Sequence, residues 1–290
     1  MSLIEKAAER LDGLLQTPVR GAAKVQEAAP VPGFIDNASF DSPKPGKAVS
    51  RRIDLDLERL GAAGFITPDA SGSLIAEEFR VIKRPLKGNT TSAAVPIKNA
   101  NLIMVTSSLP GEGKSFTALN LALSIALEMD RTVLLVDADV ARPSLPRLLG
   151  IQEQKGLLDI LQDKSLDMSD VMLRTNIDKL SILTAGTANV HATELLASDS
   201  MGRLLNEIAK RYSDRIVIFD SPPLLVTTEA RVLATRLGQI VFVVRAEETP
   251  QNAVTEALST IEACPVKLLI LNQARSIENT AYGYQYGYGY

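Results

Sequence analysis

The sequence predicts an α/β fold, a mostly parallel sheet with helices on both faces, between a flexible N-terminal arm and a C-terminal tail. Three observations carry this. From residue 101 onward, short β-branched apolar runs alternate with helical stretches, the pattern of a parallel sheet covered on both sides. The first run leads into Pro110-Gly111-Glu112-Gly113-Lys114-Ser115 and then a helix. Two later runs end in carboxylates, Leu134-Leu135-Val136-Asp137-Ala138-Asp139 and Ile216-Val217-Ile218-Phe219-Asp220.

The chain has 290 residues, 46% of them hydrophobic, enough for one large α/β domain or two small ones. Its net charge of −3 gives no reason to expect nucleic acid as a partner. No run approaches the roughly 18 apolar residues of a membrane span. The start, Met1-Ser2-Leu3-Ile4-Glu5-Lys6, lacks a secretory pattern, so a cytoplasmic location is expected. Cys264 is the only cysteine and reads as a small core residue. His191 is the only histidine, which disfavours a histidine metal site or a Ser-His-Asp triad.

In chain order, residues 1–16 carry Leu3, Ile4, Ala7, Ala8, Leu11, Leu14 and Leu15 at the spacing of an amphipathic helix. Residues 17–50, with Pro18, Pro30, Pro32, Pro43 and Pro45, read as a disordered linker. The folded domain is expected over 51–272. A helix is expected from Ser73 through Arg84, with Pro85 ending it. Strands are expected at Leu102–Thr106, Val133–Asp137, Leu180–Thr184, Ile216–Asp220, Ile240–Arg245 and Leu268–Asn272. Helices are expected near 115–128, 193–211, 227–237 and 251–263. Residues 273–290 form a glycine-spaced tail bearing Tyr282, Tyr284, Tyr286, Tyr288 and Tyr290.

Strand, glycine loop and helix together are the context of a Walker A motif, and so of the P-loop NTPase type of sheet. Glycines let backbone amides curl around phosphate oxygens, and the helix N-terminus adds partial positive charge. Pro110, Gly111, Glu112, Gly113, Lys114, Ser115 and Phe116 are the expected nucleotide contacts. Lys114 would reach the β- and γ-phosphates of ATP, and Ser115 would ligate Mg²⁺. Ser108 stands where the usual motif has its first glycine. Strand-terminal Asp137 and Asp220 are candidate metal ligands. For either alone, a helix N-cap is a competing reading.

These residues resemble the bacterial tyrosine kinases. The likeness rests on Walker A, the Asp-x-Asp motif, Asp220-Ser221-Pro222-Pro223 and the terminal tyrosines. Glu77-Glu78-Phe79-Arg80-Val81-Ile82-Lys83-Arg84 is similar to the family's oligomerisation helix. It covers about residues 73–290 and points to the exosortase-associated autokinases of exopolysaccharide gene clusters. The resemblance implies Lys114, Asp137, Asp139 and Asp220 as catalytic residues, with Asp139 accepting the tyrosine proton. It implies Asn272 near adenine, although a strand-end cap is the plain alternative. It also implies ring contacts through Glu77, Arg80, Lys83 and Arg84. Two positions depart from the family pattern: Arg142 replaces an arginine expected at Ala141, and Lys83 replaces an arginine. Lysine lacks the bidentate guanidinium fork.

The implied activity is transfer of the γ-phosphate of ATP to the tail tyrosines in trans. The implied partners are a homo-oligomeric ring, a membrane polysaccharide chain-length regulator that recruits the chain to the inner membrane, and a tyrosine phosphatase. Two rivals are a MinD/ParA-type ATPase switch and a non-enzymatic assembly factor with a sticky aromatic tail. Leu109 stands where the MinD/ParA loop carries an extra lysine.

Overall fold

The computed structural model describes residues 51–91, 96–128, 130–211 and 215–274. The expected N-terminal helix, the linker and the tail tyrosines lie outside these residues.

Among the described residues the core is a seven-stranded sheet. Its strands are β1 (Leu102–Ser107), β2 (Thr132–Asp137), β3 (Leu173–Arg174), β4 (Leu180–Leu183), β5 (Arg215–Asp220), β6 (Gln239–Arg245) and β7 (Val266–Asn272). They lie in the order β3-β4-β2-β5-β1-β6-β7. Every pairing is parallel except β3 with β4. Side chains alternate across each strand. Leu102, Met104, Leu134, Val136, Val217 and Phe219 enter one apolar layer. Ile103, Val105, Val133, Leu135, Ile216 and Ile218 enter the other. The expected mostly parallel, doubly covered sheet is therefore present.

The described helices are α1 (Leu57–Ala62), α2 (Leu74–Thr91), α3 (Lys114–Ala126), α4 (Leu145–Leu149), α5 (Leu157–Gln162), α6 (Met168–Val171), α7 (Ala192–Ala197), α8 (Asp199–Arg211), α9 (Thr228–Ala234) and α10 (Gln251–Ser259). Helix α3 is buried from Thr117 through Ala126, between the sheet and the segment carrying Leu55, Leu60, Phe65 and Ile66. Asn120 anchors that segment by accepting the Ile66 amide at 2.8 Å.

Two expected boundaries are corrected. Helix α2 does not stop at Pro85 but runs on to Thr91. Proline removes one backbone donor and crowds the preceding turn. Tertiary fastening holds the second half: Leu86 is fully buried, Gln239 donates to the Leu86 carbonyl at 3.0 Å, and Asn89 donates to Gln239 at 2.8 Å. The helix expected over 193–211 breaks at Ser198, whose backbone is extended. Its hydroxyl accepts the Met201 amide at 3.2 Å and so caps α8.

Candidate active site

The site lies at the carboxyl ends of β1, β2 and β5, where ligands bind in open parallel sheets. β1 feeds the phosphate loop, and α3 starts at Lys114. Gly111 (φ 84°) and Gly113 (φ 94°) hold left-handed conformations that L side chains rarely adopt. A Cβ on Gly113 would also collide with the Asn272 amide.

The loop is braced from behind. The buried Glu112 carboxylate accepts the Leu109 amide at 2.6 Å and bonds the Thr249 hydroxyl. Asn272, at the end of β7, donates to the Glu112 carbonyl at 2.9 Å. The Glu112 side chain and Asn272 thus fasten the loop rather than line its open side. The Asn272 nitrogen expected near adenine is engaged with the protein backbone.

Asp137 and Asp220 are register partners on adjacent strands. Asp137 Oδ2 accepts the Ser144 and Leu145 amides, each at 3.1 Å. This is the capping role that strand-terminal carboxylates often play. Ser144 Oγ lies 2.9 Å from Ser115 Oγ and 3.2 Å from Asp220 Oδ2. Asp220 Oδ1 is buried with no hydrogen-bond partner. Asp139 pairs with Lys114 at 3.3 Å, joining the candidate proton acceptor to the candidate phosphate-binding lysine.

Burial pushes the Asp137 carboxyl up to about 8, and the neighbouring Asp220 charge adds to the rise. Burial likewise raises Asp220 to about 6, against hydrogen bonds and the Lys114 charge that favour its ionised form. Two raised carboxyls and an orphaned buried oxygen make a site short of positive charge. Among the described residues no three acidic, histidine or cysteine side chains form a closed cage. Mg²⁺ takes few protein oxygens and keeps several waters, so the donors present fit it. Ser115 and Asp220 are the ones placed to hold it, with Asp137 more fully spent on backbone amides.

A cavity of about 520 Å³ opens here. Pro110, Gly111, Gly113, Lys114, Ser115 and Phe116 form one side, and Asp139 and Arg142 also line it. Phe116 packs against Phe65 with ring centres 5.1 Å apart and the rings tilted by 40°. Sequence reasoning missed Ser144, Arg147, Thr249 and Val226. Ser144 and Arg147 lie just after the Asp-x-Asp motif but belong to no local motif themselves. Thr249 carries no local motif.

The expected oligomerisation helix is α2. Glu77, Arg80 and Arg84 are exposed, and Glu77 pairs with Arg80. Lys83 departs from the expectation. It is 7% exposed, donates to the Ser124 carbonyl at 2.7 Å and pairs with Glu128 at 2.9 Å. Burial works against the Glu128 charge, but Lys87 and Lys83 outweigh it and hold the carboxyl below its usual range. Lys83 fastens α2 to α3 within one chain and does not belong to the outward face.

A ParA-type family model, described as NUBPL iron-transfer P-loop NTPase, matches residues 98–271. "Tyrosine-protein kinase YwqD" of Bacillus subtilis (strain 168) is 34% identical over 214 residues, covering 73% of this chain and 86% of that protein. "Tyrosine-protein kinase etk" of Escherichia coli (strain K12) is 30% identical over 222 residues, 76% of this chain and 29% of that longer protein. The solved kinase domain of Escherichia coli tyrosine kinase ETK superposes with a TM-score of 0.64 at 27% identity, covering 77% of this chain and 85% of that one. Among the described residues no helix is long and apolar enough to cross a membrane. With the ParA-type match accounting for the shared sheet and phosphate loop, the chain belongs to the bacterial tyrosine kinase family.

Proposed function

We propose that this chain is a protein-tyrosine autokinase that transfers the γ-phosphoryl group of ATP to Tyr282, Tyr284, Tyr286, Tyr288 and Tyr290 of a neighbouring copy. The observation that carries the reading is the Lys114–Asp139 pair, 3.3 Å apart at the mouth of a phosphate loop. It puts a carboxylate beside the place where the lysine would hold the γ-phosphate. In the transfer, the tyrosine oxygen bonds to phosphorus as the β–γ bridging P–O bond breaks. The phenolic proton passes to Asp139, and ADP leaves. A phenol has a pKa of about 10, so an adjacent carboxylate helps remove its proton.

The loop amides and Lys114 position the phosphates, and the protein's contribution is placement and charge neutralisation. When bound through Ser115 and Asp220, Mg²⁺ offsets phosphate charge. Exposed Glu77, Arg80 and Arg84 support contacts between copies. Family resemblance supports a membrane polysaccharide chain-length regulator as recruiting partner, with residues 1–50, the N-terminal helix and linker, as its docking arm. Unimpaired pull-down after deleting those residues would refute that role. A tyrosine phosphatase would reset the tail, and exopolysaccharide synthesis is the process served.

The ParA-type match favours one second reading, a switch that only hydrolyses ATP. Purified protein with labelled ATP separates the two. Label on tyrosine supports the kinase, and released phosphate with no labelled tyrosine supports the switch.

A further inference from the structure

The cavity has a second wall that the phosphate loop does not explain. Its lining also includes Pro222, Pro223 and Val226, together with Leu148 and Ala141. Pro222 and Pro223 are buried and tightly held. Thr106 donates its hydroxyl to the Pro222 carbonyl at 2.8 Å, and the Leu224 amide donates to the Ser107 carbonyl at 2.9 Å. Val226 lies just beyond this staple and is 57% exposed, an apolar side chain at the mouth of a charged site. Arg231 fixes the same turn by donating to the Leu224 carbonyl at 2.9 Å.

The topology says which end of the nucleotide this wall faces. β5 and β6 flank β1 on opposite sides, and β7 lies beyond β6. The carboxylates Asp137 and Asp220 lie on the β5 side, so the charge-rich γ-phosphate end lies there. The nucleoside end then points toward β6 and β7. The wall follows β5 directly, so it adjoins the γ-phosphate rather than the base. An in-line acceptor enters from the side away from the leaving phosphate. Its oxygen must meet Asp139, which lines the same cavity.

We infer that Val226, held out by the buried Pro222–Pro223 turn, forms the seat for the acceptor tyrosine ring, holding its apolar face while the phenol oxygen points at Asp139. The inference rests on the proposed kinase reading and adds the acceptor subsite to it. A proline pair stiffens the turn that presents Val226, and a preformed surface binds at lower entropic cost. Aromatic rings combine a large apolar area with a polar tip, which suits a wall that is apolar at the side and acidic at the end.

The test uses the full chain saturated with ADP and Mg²⁺, and a fluorescein-labelled peptide with the sequence of residues 280–290. Fluorescence anisotropy reads binding without requiring transfer. Val226→Asp, at an exposed position that tolerates a polar side chain, should weaken peptide binding at least tenfold and leave ADP affinity within about twofold. Val226→Ile should bind the peptide as the native chain does. Peptide affinity unchanged in Val226→Asp would overturn the inference. So would a parallel loss of ADP affinity, which would give the wall to the nucleotide. Absence of phosphotyrosine in the native chain would sink the kinase reading, and the binding comparison would still judge the seat.

Discussion

Lys114 and Asp139 face each other at 3.3 Å. Replacing Asp139 with Asn should cut tyrosine phosphorylation by ~10²–10⁴-fold, the usual worth of a positioned general base, while nucleotide binding survives. Equal losses in both would make Asp139 a binding residue. Asp137 adds a pH signature. Its carboxyl keeps a proton up to about 8 in the folded chain, against an ordinary value of 3.8. Folding therefore takes up a proton across that interval, and stability falls as pH rises through it. The melting temperature of the ligand-free protein should drop between pH 5.5 and 8, and Asp137→Asn should flatten the slope. A native slope retained in that variant would rule out Asp137 as its source. The glycines, Lys114 and the strand-end carboxylates were legible because each sits in a local pattern with a chemical reason. Ser144 bridges Ser115 and Asp220 only after the chain folds back, and the reach of Glu112 to Thr249 crosses 137 positions. No local spacing announces such contacts.

Helix α2 shows where element-level reading succeeds and where packing overrides it. Its start near Ser73 was readable, but Pro85 does not end it, because Gln239 and Asn89 secure the turns beyond. Long apolar strands were found nearly to the residue. The two-residue β3 and the helices α4, α5 and α6, each of six residues or fewer, are too short to show a period. Lys83 and Arg84 are neighbours with opposite exposure, one buried and one open to solvent. Lys83→Ala should cost about 2 kcal/mol in chemical denaturation, since it strips a buried partner from Glu128 while Lys87 remains. Arg84→Ala should stay within about 0.5 kcal/mol of native stability and lower the oligomer mass in light scattering. Reversed outcomes would return Lys83 to the contact surface between copies.

At the scale of the whole molecule, β7 ends at Asn272, which holds the phosphate loop, so the tyrosine-bearing segment starts at the catalytic edge. The roughly eighteen residues from 273 onward span at most ~60 Å when extended. Own and neighbouring sites are both inside that length. Transfer between copies is the expected route, and a Lys114→Ala chain mixed with native chain should acquire label on its own tail. Each phosphotyrosine adds about −1.5 to −2 charge, and alternate residues lie about 7 Å apart, inside the ~8 Å screening length. A fully modified ladder should therefore loosen an assembly, read as a lower mass after ATP treatment. The most direct measurement is mass spectrometry of the C-terminal peptide after incubating nucleotide-binding-competent protein with ATP and Mg²⁺. Phosphate on Tyr282 through Tyr290, absent from Lys114→Ala alone, is the result expected. A peptide recovered with every tyrosine bare would contradict the account.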